Sequence, residues 1–336
     1  PYLSRGLGDV YKRQIPPSAA HQPVYLAIDL HARHSVLGAM DHAGNYIGDI
    51  QVPTTERALV HAVTGLPGPR NHLILEETPM THWAIGILRP HLTTIQACDP
   101  KHNRIISRSS RKSDSFDVQM LCKLLRLDEF HEVHHTQHDH RFAFRSLVQN
   151  YLGLQRDHVR AKNKIKATYR RLGIVANGER VYSSEGRQPF LHQIKDEIWQ
   201  WNLESRYAVY DNIHEQVRLA QKHLKQISRR YPEVQNFQKI PGVGPVSAAT
   251  FSAFIQTPHR FATRSQLIRY SALSVTDRSS DGKQIGYRRL ERGSGSTELK
   301  SLSYNAWRGA ICSKRDNEVQ QFYHCLLYTS PSPRDR

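Results

Sequence analysis

The chain has 336 residues, 38% of them hydrophobic, with 47 Lys and Arg against 30 Asp and Glu for a net charge of +17. That length allows about two domains, each with its own core, and the excess of positive charge points to a polyanionic partner. No run of about 18 apolar residues occurs, which excludes membrane-spanning helices, and widespread apolar periodicity argues against extreme disorder.

The two ends are expected to be foreign to the protein. CLLYTSPSPRD (Cys325–Asp335) can be reverse-translated into DNA whose reverse complement, read in another frame, encodes SRGLGDVYKRQ (Ser4–Gln14). Both therefore translate one DNA sequence, which resembles a sequencing-library adapter, and residues 1–14 and 325–336 are read as scars outside the fold. Without them 42 basic residues stand against 28 acidic ones, a charge of +14. Cys98, Cys122 and Cys312 remain, far apart and with no CxxC, so neither a disulfide framework nor a cysteine zinc site is expected. A reducing cytoplasm is the expected location.

In chain order, VYLAIDL (Val24–Leu30) reads as a buried strand. HSVLGAMD and YIGDIQV form a hairpin turning at Gly44 and Asn45. ERALVHAV (Glu56–Val63) is helical, HLILEE (His72–Glu77) a strand, HWAIGILRPHL helical until Pro90, and TTIQACD (Thr93–Asp99) a short strand. Helical spacing through Val118, Leu121, Cys122 and Leu125 marks a helix over Ser113–Leu125. Strands followed by alternating strand and helix imply an α/β domain over residues 24–130. Residues 141–232 then lose their strand signals. Leu147, Tyr151, Leu154, His158, Ala161, Ile165, Thr168 and Leu172 form the seam of one long helix. Ile198, Trp201, Leu203, Tyr207, Tyr210, Ile213, Val217, Leu224 and Ile227 supply the stripe of a second helical stretch, Phe190–Tyr231, so an antiparallel helical arm is expected. Residues 233–324 read as a mostly helical C-terminal domain with a Gly/Ser/Arg-rich stretch from Arg278 to Ser296.

Four carboxylates carry the first chemical signal. Asp29 lies in the first strand, Glu76 or Glu77 ends another, and Asp114 and Asp117 share a helix face at i, i+3. Strand-end carboxylates meeting a helical D-x-x-D can hold hard divalent cations, and two such ions can clamp the attacking and leaving oxygens of a phosphodiester. Taken singly, Asp114 could merely cap a helix and Glu76 could be a solvated strand end. His131-Glu132-Val133-His134-His135 fits the H-E-x-x-H zinc pattern, but it falls between elements rather than on a helix, and a zinc protease is not expected. In IPGVGPVSAATFSAFI (Ile240–Ile255), Gly242 and Gly244 before a helix resemble a helix-hairpin-helix that could approach a phosphate; a tight interhelical turn explains them equally. Arg156, Arg160, Lys162, Lys164, Lys166, Arg170 and Arg171 lie off the apolar seam, either as a stripe for nucleic-acid phosphates or as a solvated helix face.

AIDLH around Asp29, LEET around Glu76 and RKSDSFDVQ around Asp114 and Asp117 together resemble the DEDD motif of insertion-sequence transposases related to the Piv DNA invertases. The family's third motif reads K-T-D-x-x-D-A, against Lys112-Ser113-Asp114-Ser115-Phe116-Asp117-Val118 here. Its Ala-Thr-Gly after the glutamate is replaced by Glu77-Thr78-Pro79, and Glu76 is chosen because Thr78 then falls in place. The resemblance implies a ribonuclease-H/RuvC-like N-terminal fold and Mg²⁺, with Mn²⁺ able to substitute, held by Asp29, Glu76, Asp114 and Asp117. RSSDGKQIGYRRLERGSGSTELKSLSYNAW (Arg278–Trp307) resembles the family's block containing the recombination nucleophile. Ser280 matches best and Ser279 is adjacent, although from the residues alone both could sit in a flexible basic loop.

The resemblance further implies DNA partners at element ends and target, a structured noncoding guide RNA, and a homo-oligomer (dimer or tetramer) whose composite site draws on both domains. Arg156, Arg160, Lys164, Lys166, Arg170, Gly242 and Gly244 are the candidate nucleic-acid contacts, and the resemblance implies a C-terminal domain cut short after Gln321–Tyr323. Two alternatives stand beside this reading. One is a RuvC-like junction endonuclease using metal-activated water; the other is a decayed transposase that only binds nucleic acid.

Overall fold

The buried run at Val24–Leu30 is the core of a central strand, β1 (Tyr25–Asp29). The computed structural model describes residues 23–65, 71–100, 113–136, 139–276, 279–280, 283–284, 289–290 and 295–329. The chain divides into two compact units, residues 1–137 and 138–336.

In the first unit β1 pairs antiparallel with β2 (His34–Met40), which pairs antiparallel with β3 (Tyr46–Pro53). The β2–β3 turn carries Gly44 at φ +94°, a backbone conformation suited to glycine. Helix α1 (Glu56–Thr64) leads to β4 (His72–Glu76), parallel to β1. Helix α2 (Thr81–Leu88) leads to β5 (Thr94–Cys98), parallel to β4. Helix α3 (Asp114–Leu127) leads to β6 (Glu132–Val133), antiparallel to β5. The sheet order is β3-β2-β1-β4-β5-β6. This mixed six-stranded sheet with helices on both faces is the ribonuclease-H-like α/β architecture expected for this region. Glu132 and Val133 are strand residues, so the H-E-x-x-H histidines do not share a helical face.

Strand alternation divides the core in two. Leu26, Ile28, Leu37, Leu73 and Leu75 pack with Leu59, Val63, Ala84 and Leu88 of α1 and α2. Ala27, Val36, Ile74 and Cys98 face the other way, against Val118, Leu121, Cys122 and Leu125 of α3. Where α3 crosses the sheet, the register partners are Ala27 and Gly38, the two smallest side chains available. A Cβ on Gly38 would lie 2.9 Å from Val118 Cγ2 and 3.0 Å from the Tyr46 hydroxyl. The missing side chain at Gly38 therefore sets how closely α3 can sit on β1 and β2.

The second unit is built on α4 (Asp139–Arg171) and α6 (Glu197–Ser228), with the single-turn α5 (Gln188–Leu191) between them. They run antiparallel. Phe144 stacks on Tyr231, His158 meets His214, and Tyr169 shares a 3.0 Å hydroxyl hydrogen bond with Tyr207. The Tyr207 hydroxyl also donates to the Val181 carbonyl at 2.9 Å, so these buried phenols are satisfied. The second helical stretch, expected from Phe190 onward, is interrupted: α6 starts at Glu197, capped by Asp196, whose side chain accepts from the Trp199 N–H at 3.0 Å. Ile198 and Trp201, expected in its apolar stripe, are exposed. Trp201 lies roughly 160° around the helix from Leu203, which is buried.

Four further helices complete this unit's C-terminal part with α7 (Pro232–Phe237): α8 (Pro245–Ile255), α9 (Arg264–Tyr270), α10 (Thr297–Ile311) and α11 (Glu318–Thr329), the last running on through Cys325–Thr329 of the segment expected to lie outside the fold. Two small strand pairs join them. Strand β7 (Val275–Thr276) pairs with β10 (Arg289–Leu290), and β8 (Ser279–Ser280) pairs with β9 (Lys283–Gln284). Glu233 of α7 accepts from Arg141 of α4 at 2.5 Å and from Ser252 of α8 at 2.7 Å. Burial alone would raise its carboxyl pKa, but these bonds outweigh it and hold the pKa below the ordinary value.

Filling the Gly38 notch should loosen α3. Gly38→Val is expected to cost about 1–3 kcal/mol in urea unfolding through overpacking, with faster amide exchange concentrated in α3. Wild-type stability in this variant would show that the close approach is not what seats the helix.

Candidate metal-binding catalytic site

Each carboxylate is placed by the local logic of its element. Asp29 ends β1 and Glu76 ends the neighbouring parallel strand β4, one step beyond the Ile28–Leu75 pair. Alternation puts Asp29 on the face of Ala27, and Glu76 on the face of Ile74. Both of those residues pack against α3. Ser113 caps α3, its side chain accepting from the Phe116 N–H at 3.3 Å, and this sets Asp114 and Asp117 in the first turn. Ser115 Oγ donates to Asp49 Oδ2 at 2.8 Å and ties the same turn to β3. The helix start thus sits over the sheet face on which both strand ends emerge.

The Asp29 carboxyl is held above its ordinary pKa. Burial is the main cause; nearby His31 pulls the value down, and the negative charges of Asp114 and Asp117 push it up. Asp114 and Asp117 are therefore near enough for their charge to be felt at Asp29. Glu76 is placed by register on the same face. Its neighbour Glu77 is engaged elsewhere: its N–H donates to the Cys98 carbonyl at 3.0 Å and its carboxylate pairs with His135. Pro79 falls in the turn that follows, where the Thr81 N–H donates to the Thr78 carbonyl at 3.2 Å. Proline's fixed φ suits the second position of such a turn.

His31 is the residue that the sequence reading passed over. Its Nε2 lies 3.2 Å from Asp29 Oδ2 and 3.9 Å from Asp114 Oδ2. One ligand atom from each of Asp29, His31 and Asp114 falls within 4.8 Å of the others. The available signal was the spacing itself: a histidine two residues beyond a strand-end aspartate returns to the same face. The donor set is mostly hard oxygen, and it crowds negative charge around a half-buried carboxylate. A divalent cation would relieve that repulsion, so these residues fit one.

The other expected site residues are distributed over the second unit. Ser279 and Ser280 form β8, with Ser280 opposite Lys283. Arg156, Arg160, Lys164 and Arg170 are exposed on α4. Arg156 lies 3.6 Å from Glu298, and Arg160 donates to Asp157 at 2.9 Å. Arg160 and Lys164 line, with Arg206 of α6, a cavity of about 520 Å³, while Lys166 lies over the Tyr182 ring. The two glycines before α8 differ. Gly242 has φ +80°, and a Cβ there would fall 1.9 Å from the Ala306 carbonyl oxygen of α10. Gly244 is the residue before α8, and a Cβ there meets nothing within 4 Å. Gly242 is thus a packing glycine, whereas Gly244 leaves the helix start open.

Two family models match the chain. One, described as a transposase and belonging to the DEDD group of IS110, matches residues 26–173. The other, described as transposase IS116/IS110/IS902 family, matches residues 234–324. Comparison with curated proteins gives no match. Among the described residues no helix is long and apolar enough to cross a membrane.

Two outcomes test this geometry. Gly242→Ala should cost about 2 kcal/mol or more, from strain at positive φ and a backbone clash, while Gly244→Ala should unfold like wild type; equal effects would refute the distinction. Asp29→Asn, in metal-free buffer at pH 7, should stabilise the fold by about 0.5–1 kcal/mol. The sign follows from the raised pKa. The folded state holds the Asp29 proton more tightly than the unfolded chain does, so wild type loses stability as pH rises through the folded value. Below the ordinary carboxylate range the two proteins should converge. Thermal melts across pH check this, and a variant less stable than wild type at pH 7 would contradict it.

Proposed function

The chain belongs to the IS110/IS116/IS902 family of transposases and carries its DEDD domain, and on that premise we propose that it cuts and rejoins the DNA of an insertion sequence through Ser280, assisted by Mg²⁺. A transposase acts on DNA, and a DEDD domain implies a divalent metal. The observation that carries the proposal is the convergence of Asp29 and Asp114, whose carboxylate oxygens lie within 4.8 Å of each other, with Asp117 in the same helical turn as Asp114 and Glu76 on the same sheet face.

Asp29, Glu76, Asp114 and Asp117 would hold the cation. When bound, it supplies Lewis-acid stabilisation of the charge that builds on a phosphate under attack. The carboxylates come from two strand ends and a capped helix start, elements whose backbone is fixed by sheet and helix hydrogen bonds, so they change shape little on loading. A serine hydroxyl is a poor nucleophile at its ordinary pKa and needs a partner to take up its proton. In the proposed step the Ser280 Oγ–P bond forms as the phosphate's bond to the neighbouring deoxyribose oxygen breaks. The serine proton ends on the departing oxygen, giving a free hydroxyl and a phosphoserine link. A hydroxyl of a second strand reverses the step and rejoins the DNA, with no bond energy lost. Exposed Arg156, Arg160, Lys164 and Arg170 on α4, together with Lys166 and the open helix start at Gly244, would contact nucleic-acid backbone. Such contacts carry charge but little sequence information. A noncoding guide RNA that pairs with donor and target, and a homo-oligomer that brings two DNA strands together, complete the proposal.

A suicide DNA substrate in Mg²⁺ tests it. A covalent protein–DNA adduct is expected, lost in Ser280→Ala and reduced by on the order of 10³-fold or more in Asp29→Ala. An adduct that survives Ser280→Ala but not Ser279→Ala would move the role to the neighbouring serine. Cleavage without any adduct, surviving Ser280→Ala, would instead favour a junction endonuclease using water.

A further inference from the structure

We infer that His31 is a direct metal ligand of the DEDD site, giving it a mixed nitrogen and oxygen donor set rather than an all-carboxylate one. The inference rests on the proposed cation site and adds to it a residue that the four-carboxylate motif does not contain.

The geometry points this way for three reasons. First, His31 Nε2 faces carboxylates from two different elements, Asp29 at the end of β1 and Asp114 at the start of α3, at 3.2 and 3.9 Å. In an octahedral site with bonds of about 2.1 Å, adjacent ligand atoms stand about 3 Å apart and opposite ones about 4.2 Å. Both separations fall in that interval. Second, the imidazole is not explained by packing: its side chain is 55% exposed. A histidine that served the core would be buried with both ring nitrogens satisfied inside the protein. Third, the backbone supports the placement. Asp29 and His31 are i and i+2 where the chain leaves β1, so both side chains emerge on the α3 side. Just beyond, the Thr54 hydroxyl donates to the His31 carbonyl at 2.7 Å and fixes the residue's backbone against the end of β3.

A nitrogen ligand changes which cation the site prefers. Mg²⁺ sites are built almost wholly of oxygen, whereas imidazole suits the transition metals. The site should therefore favour Mn²⁺ over Mg²⁺ by more than four carboxylates alone would, and the preference should reside in His31.

Mn²⁺ added to the full chain provides the test, because pulsed electron paramagnetic resonance detects a nitrogen bound directly to the ion without requiring any DNA reaction. Wild type should bind Mn²⁺ and show ¹⁴N modulation of the echo. His31→Gln, at an exposed position where folding is not at stake, should lose that modulation and bind Mn²⁺ at least about tenfold more weakly, with a smaller loss for Mg²⁺. Asp29→Asn should lose the bound ion altogether. Bound Mn²⁺ with no ¹⁴N modulation in wild type would overturn the inference and leave the carboxylate site standing. So would ¹⁴N modulation that persists in His31→Gln or in Asp29→Asn, since the nitrogen would then come from one of the chain's other histidines. No bound Mn²⁺ in wild type would overturn the carboxylate reading itself, and the role of His31 with it.

Discussion

The first unit depends on the close seating of α3 on the sheet at Ala27 and Gly38. Sheet and helix normally keep a distance set by the side chains between them. Here one of those side chains is a methyl and the other is a hydrogen, with Val118 lying directly over the gap. That local thinning lets the N-terminal turn of α3 reach the ends of β1 and β4. Asp114 and Asp117 would otherwise be ordinary acidic residues in a first helical turn, where they are favoured anyway by the free N–H groups. Packing at one glycine thus converts a common helix-start composition into a cluster of like charges.

That cluster works against folding. Asp29 is half-buried, and the like charges around it raise its pKa further. The fold tolerates this because the elements that carry the carboxylates are held by other interactions. Two separate apolar clusters clamp β1 and β4 from both faces, and Ser113 and Ser115 anchor the helix start. Stability invested in the scaffold offsets electrostatic strain at the site, a pattern expected where a protein awaits a cation rather than satisfying its charges internally.

Much of this was legible in the sequence, for reasons that can be named. Strands with strict burial on two sides, such as YLAID and HLILE, read as apolar runs bounded by polar residues. The Ser-Asp-x-x-Asp start of α3 carries its own cap, so both the helix and the pairing of its aspartates were visible. What escaped was information that depends on three-dimensional neighbours. The i, i+2 spacing of Asp29 and His31 links that pair alone, and only the approach of α3 gives the ring a second carboxylate. Ile198 and Trp201 fit an apolar stripe by spacing alone, but the cap at Asp196 restarts the helix, and its phase then turns them to solvent. Gly242 and Gly244 look interchangeable in sequence. One is required by a carbonyl of α10 and the other by nothing nearby, a difference that belongs to packing between segments more than 60 residues apart.

The distribution of positive charge extends this reasoning from the site to recognition. The cations of α4 do not form one free stripe: Arg156 lies near Glu298, Arg160 bonds Asp157, and Lys166 leans over Tyr182. What remains exposed is spread along a helix of 33 residues. Such an arrangement suits the regularly spaced phosphates of a nucleic-acid backbone, where each contact contributes affinity in a salt-dependent way. It does not suit base readout, which needs several side chains converging on one groove edge. A transposase must nevertheless choose its ends. Under the proposed function the arm would supply mainly backbone affinity, and sequence choice would have to come from elsewhere in the complex, the role which that proposal gives to a base-pairing RNA.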